Sequence, residues 1–167
     1  GPGFREYSNI HPIKYILGDN ILEGRWGNSI RLGSTHSGSG PWSNTGENGS
    51  PITIIRNGQP PTSTDEGYMP IFEDINKDDS SLWLTKNQQI PIKPSQFILK
   101  SYGKSQQPKS PDQYVGSQIL LNSDRLFFNS KKDHILFSSA KSIGFNSILG
   151  FNFDTKSFLL FEYGFLI

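Results

Sequence analysis

The chain of 167 residues has no cysteine, a single methionine and only three histidines. Without thiols there is no disulfide framework, no thiolate nucleophile and no cysteine-based metal site. His11, His36 and His134 stand far apart and make neither an HxH nor an HxxxH pair, so each reads as a surface or loop residue rather than a ligand. Charge of one sign is not in excess either, with 16 Lys and Arg against 15 Asp and Glu. Net charge therefore gives no drive toward nucleic acid or an anionic membrane, and no nucleic-acid partner is expected. No run reaches the roughly 18 apolar residues that a membrane-spanning helix needs, and no basic-then-apolar leader opens the chain. Sustained helical periodicity is missing as well. Gly1-Pro2-Gly3 reads as a tag or processing scar.

What the chain does contain is 17 Gly, 11 Pro and 12 Phe, a composition that fits a turn-rich all-β protein. Its most informative stretch repeats itself. Five times the sequence writes apolar, any residue, apolar, and then a small polar pair. The copies are Ile119-Leu120-Leu121-Asn122-Ser123, Leu126-Phe127-Phe128-Asn129-Ser130, Ile135-Leu136-Phe137-Ser138-Ser139, Ile143-Gly144-Phe145-Asn146-Ser147 and Phe151-Asn152-Phe153-Asp154-Thr155. Residues two apart point to one side of a strand, so each copy predicts a short strand with two apolar side chains on one face. The polar pair suits a corner, because Asn, Ser and Asp side chains hydrogen-bond their own backbone. A strand and a corner restarted about every eight residues is the pattern of a β-solenoid or β-prism.

An ordinary antiparallel meander is the alternative. Two features favour the stalk. The spacing leaves almost no loop, and the middle positions Leu120, Phe127 and Leu136 are apolar too, so both faces of the early strands need cover. Stacking against further copies of the chain supplies that cover and leaves few free edges. Residues 118–167 are accordingly predicted to be a self-associating stalk and tip. Its core would be Ile119, Leu121, Leu126, Phe128, Ile135, Phe137, Ile143, Phe145, Phe151 and Phe153.

Residues 1–14 read as an N-terminal arm, 15–100 as a compact β-domain and 101–117 as a Gly/Ser/Gln/Pro linker. In the β-domain, Ile21 to Trp26 and Ser29 to Gly33 predict a hairpin turning at Gly27-Asn28. Pro51 to Arg56 predicts a third strand, Met69 to Ile75 a fourth and Ser80 to Thr85 its return. Five strands with long loops at fixed places is the budget of a Greek-key barrel of the OB type. Ile90-Pro91-Ile92-Lys93-Pro94 reads as an extended exit, since its prolines bar it from a central strand.

No catalytic constellation emerges. Asp74-Ile75-Asn76-Lys77-Asp78 imitates the start of a calcium loop, but Asp79 stands where Gly is required and Thr85 where Glu is, so a polar turn is the better reading. Glu66, Glu73 and Asp74 offer carboxylates for a glycan-cleaving pair, yet nothing positions a second acid. Trp26 with Arg25 and Arg31 could form an aromatic and basic platform for sugars or single strands. The plainer reading makes Trp26 a core residue and the arginines exposed hairpin positions. No catalytic residue, cofactor or metal ligand is assigned.

Several segments look familiar. The run Ile21-Leu22-Glu23-Gly24-Arg25-Trp26-Gly27-Asn28-Ser29-Ile30-Arg31-Leu32-Gly33-Ser34 is followed by Pro41-Trp42-Ser43, Gly46-Glu47-Asn48-Gly49, Pro51-Ile52-Thr53-Ile54-Ile55-Arg56-Asn57-Gly58 and Glu73-Asp74-Ile75-Asn76-Lys77-Asp78-Asp79-Ser80-Ser81. Together they resemble the N-terminal OB domain of the central baseplate tail-spike, or cell-puncturing, proteins of T-even-like contractile-tailed phages. Lys132-Asp133-His134-Ile135-Leu136 and Lys141-Ser142-Ile143-Gly144-Phe145 resemble the β-helix of those proteins and of VgrG-type spikes. The resemblance implies an OB-fold barrel followed by an intertwined, homotrimeric β-helix. It further implies a place in the virion's tail baseplate, hub proteins as partners, and the host outer membrane as a mechanical target. It implies no enzyme here, because residues 101–117 are too short to hold an inserted lysozyme domain and no HxH tip site is present. Residues 158–167, apolar nearly throughout, read as a capping tip or as the approach to further chain.

Overall fold

The computed structural model describes residues 10–34, 41–42, 49–60, 69–102 and 107–156. Among them there is no helix, and the regular structure is one five-stranded antiparallel sheet in the order β1-β2-β3-β4-β5. The strands are β1 (Asn20–Glu23), β2 (Ser29–Ser34), β3 (Pro51–Asn57), β4 (Ser80–Thr85) and β5 (Gln118–Ser123). The sheet is open, with β1 and β5 as its edges. The all-β expectation is therefore met, with β5 supplied by the first copy of the repeat, which pairs with β4 in the register Leu82↔Leu121, Trp83↔Leu120 and Leu84↔Ile119.

Two of the predicted strands differ. Residues 69–75 form no ladder strand. Ile71 alone makes a parallel bridge to Ile13, and β4 pairs with β3 and β5 instead. Pro70 removes one donor, and Glu73 and Ile75 turn inward as buried side chains. The β1–β2 hairpin is also wider than a two-residue turn. The Gly24 amide donates to the Asn28 carbonyl at 2.8 Å, so Arg25 and Trp26 belong to the loop. Gly27 alone in that loop takes a positive φ, 82°. Residues 11–14 of the arm are docked on the rest of the unit. Ile13 is buried, the Lys14 amide donates to the Ile71 carbonyl at 2.7 Å, and Gln59 bonds both the amide and the carbonyl of His11. His11, expected to be a surface or loop residue, lies outside the strands but is buried, with Nδ1 3.0 Å from the Met69 carbonyl oxygen.

The core lies on one side of the sheet and gathers Trp42, Ile52, Ile54, Ile75, Trp83 and Ile90, with Phe72, Ile92 and Leu120 packed against it. Trp42 meets Trp83 and Phe72 edge to face, with ring centres 5.5 and 5.4 Å away, an arrangement that aromatic quadrupoles favour. One cross-strand row defines this inner side: Ile21↔Arg31↔Ile54↔Trp83↔Leu120. Arg31 thus points into the core, the reverse of the exposed hairpin position that its charge predicts.

The guanidinium is fully buried, and each of its three nitrogens has a partner. Its Nε and Nη2 donate to the two Glu73 carboxylate oxygens, each at 2.9 Å. Nη2 also donates to the Lys14 carbonyl at 2.7 Å, and Nη1 pairs with Asp19. The Trp42 and Phe72 rings lie 5.4 and 6.0 Å from its central carbon. Asp19 reaches Nη1 by lying across Gly33, where an added Cβ would fall 2.3 Å from a carboxylate oxygen. Arg31 therefore ties the 14–19 segment, β2 and the 69–75 segment together.

Removing one partner of such a cluster strands a buried charge. Arg31→Ala should destabilise the fold by about 3–5 kcal/mol in urea titration, and Gly33→Ala should weaken it by displacing Asp19. An unchanged midpoint for Arg31→Ala would contradict this account of the core.

Candidate functional site

The candidate carboxylates among the described residues have local structural roles. Glu73 is occupied by Arg31. Asp74 shapes the turn at 75–79, accepting from the Asn76 amide at 3.0 Å, while the Asp78 carboxylate accepts from the Asp74 amide at 2.9 Å. Asn76 fastens this turn to the exit segment through the Pro91 carbonyl and the Lys93 amide, both at 2.7 Å. The calcium-like run is thus a hydrogen-bonded polar turn. Among the described residues no group of three or more His, Asp or Glu side chains comes together as a metal would require. Glu66 and His36 lie outside the described residues.

The proposed aromatic platform divides. Trp26 sits exposed at the hairpin tip with the Arg25 guanidinium 5.5 Å from its ring, while Arg31 faces the opposite way. Neither sequence reading of the three residues survives whole, because Trp26 is outside the core and Arg31 inside it.

The repeat is the feature that remains. Beyond β5 the backbone bends at Asp124, at residues 131–133, 140–141 and 148–149, and at Lys156. Four unbent runs of six residues lie between the bends, at 125–130, 134–139, 142–147 and 150–155. Written in that frame they are RLFFNS, HILFSS, SIGFNS and GFNFDT, and β5 itself is QILLNS. Second and fourth places are apolar in all five. At three corners the sixth residue acts as expected: Ser130, Ser139 and Ser147 hydroxyls accept the amides of Asp133, Lys141 and Gly150 at 3.2, 3.2 and 3.1 Å. These are the local side-chain bonds that let a small polar residue turn the chain.

None of the four runs joins a ladder. The ten predicted core positions, from Ile119 to Phe153, are all exposed in the single chain, between 45 and 71 %. The middle residues Phe127 and Leu136 are more exposed still, at 83 and 84 %. Contacts are few: Phe145 lies edge to face with Phe151 at 6.3 Å, and the Ile98 amide donates to Asn146 at 2.8 Å. Within the chain, then, the ten residues are brought onto a common repeat frame but not into a common core. Residues 157–167, including the predicted tip, lie outside the described residues.

A second region escaped sequence reading. Arg56 is buried with Asp78, 3.4 Å away, and stands between Ser29 and Ser81 in the cross-strand register. Burial pushes the Asp78 carboxyl up from its usual 3.8 to about 6, with the Arg56 charge pulling the other way. No periodicity signals this pair, because Arg56 and Asp78 occupy a strand and a turn far apart in sequence.

Comparison with protein-family models, with curated proteins and with solved structures finds no match to this chain.

Because its native pKa exceeds the unfolded value, Asp78 adds most to stability below about pH 4. That contribution declines as pH rises through about 6. Asp78→Asn should flatten the pH dependence of the unfolding free energy between those limits. An equal slope in the two proteins would contradict the assignment.

Proposed function

We propose that this protein is a structural component of a contractile phage tail, the central spike of the baseplate, acting as a homotrimer. In this reading the β-sheet unit belongs to an OB-type barrel, and three such units form a collar docked to tail-hub proteins. The repeats of three chains wind together into a β-helical stalk, which sheath contraction drives through the host outer membrane. Its place is the virion baseplate, and it performs no catalytic step.

The observation that carries the reading is the train of six-residue runs and bends after β5, each run with exposed apolar residues at its second and fourth places and none of them paired in a ladder. Such runs leave backbone donors and acceptors open along both edges. Chains of identical period satisfy these groups mutually if they lie side by side in register, and three strands closing around an axis leave no edge. The same closure turns second and fourth positions inward. Burying two large apolar side chains per repeat contributes on the order of 3–6 kcal/mol before the entropy of ordering the chain is subtracted. The sequence resemblance to cell-puncturing spikes supports the same architecture.

The mechanical role follows from cooperativity. A needle loaded along its axis fails only if chains separate, and separating intertwined chains breaks many ladder bonds at once. No single repeat can open without its neighbours. The exposed Trp26 with Arg25 beside it favours one further reading, an OB-type module that binds carbohydrate or single strands. An oligosaccharide-binding titration with Trp26→Ala as control separates that reading from the spike.

Light scattering on the full chain should give the mass of three copies, and Ile135→Asp or Phe145→Asp should reduce it toward one. A unit mass for the unmutated chain would remove the proposal.

A further inference from the structure

The sheet has a second side, and it is apolar. Turning Arg31, Arg56, Ser29 and Ser81 inward forces the alternate residues outward. One outer row reads Leu22↔Ile30↔Ile55↔Leu82↔Leu121 across all five strands. The next reads Asn20↔Leu32↔Thr53↔Leu84↔Ile119. Ten positions therefore carry eight aliphatic side chains and no charge. All of the eight but Leu82 are exposed, from Ile30 and Leu84 at 38 % to Ile119 at 71 %. Together the seven exposed residues show solvent roughly 600 Å², backbone included, at the upper end of the largest patch on a typical monomer. It approaches the ~800 Å² that each partner contributes to a standard interface. A cavity of about 290 Å³ at the edge of this face is lined by Leu22, Ile30 and Ile55 together with the charged Glu23 and Arg56.

We propose that this outer face of the sheet is a self-association surface, covered by a second copy of the chain. Three features select a copy over another occupant. The face has no charged residue with which to choose a partner of opposite sign, whereas an uncharged aliphatic face is compatible with itself. Its area suits a subunit contact rather than a small ligand. It also continues into the repeat: Ile119 and Leu121 hold the second and fourth places of the first run, the same places that Leu126, Phe128 and their successors occupy further on. In the first run these two places lie on the outer side of the sheet. Contacts between copies would therefore start within the sheet unit, before the stalk. The inference shares with the proposed function the premise that the chain self-associates, but it rests on different residues.

The absence of native cysteine makes the test site-specific. Ile55→Cys is made in the full chain, with Lys77→Cys, on an exposed turn side chain, as the reference. Rates of labelling by a small maleimide are measured beside the mass in solution. The proposal expects an assembled protein in which position 55 reacts at least about tenfold more slowly than position 77. The double variant Ile30→Asp, Ile55→Asp should lower the mass, with fluorescence of buried Trp42 and Trp83 checking that the core is intact. Equal labelling rates in an assembled protein, with mass lowered only by Phe145→Asp, would overturn the inference and leave the spike reading standing. Slow labelling at position 55 with mass insensitive to Phe145→Asp would do the reverse. Slow labelling in a monomer would mean that the chain covers its own face, and that overturns the inference too.

Discussion

A guanidinium without solvent access sets the terms for this molecule. Arg31 sits mid-strand in β2 and faces the core, so β2 must present Ile30 and Leu32 to the other side. Strand pairing passes that choice from strand to strand, because a shift of one residue would reverse every side chain in the sheet. Ile54, Trp83 and Leu120 follow Arg31 inward, and Ile55, Leu82, Leu84 and Leu121 go out. A buried cation is tolerable only with its partners in place. Glu73, Asp19 and the Lys14 carbonyl are those partners, and they come from two separate stretches of chain, 14–19 and 69–75.

Part of this was legible beforehand and part was not. Strands β2, β3 and β4 were visible from β-branched and aromatic runs bounded by Gly and Asn, as was the all-β class. The facing of β2 was not visible. Alternation shows that Ile30 and Leu32 share a side, but assigning that side to the core assumes that a charge seeks water. Glu73, 42 residues away, reverses the assumption. The 69–75 segment misled for a related reason: its apolar residues pack against the core as a bridge and a turn, and a strand of this length would have the same composition.

The repeat was legible in part. Its period recurs as bends in the backbone and three of its serine corners form as expected, since both depend on local sequence. Of the five predicted strands, by contrast, only the first pairs in a ladder. What the repeat does not encode locally is its start. The first copy has Leu120 between Ile119 and Leu121, and that middle residue finds cover against the core, which draws the copy into the sheet. In later copies Phe127 and Leu136 have no such cover, and the backbone departs from the sheet at Asp124.

A single physical requirement connects the two halves. The outer aliphatic face is exposed and the runs beyond β5 join no ladder, so both halves present apolar surface to solvent. Other copies of the chain would cover both. Amide hydrogen exchange followed residue by residue through 125–155 tests this most directly. The account predicts slow exchange in the six-residue runs, with fast exchange confined to the intervening bends. Uniformly fast exchange through those runs, at concentrations where β2, β3 and β4 are protected, would contradict it.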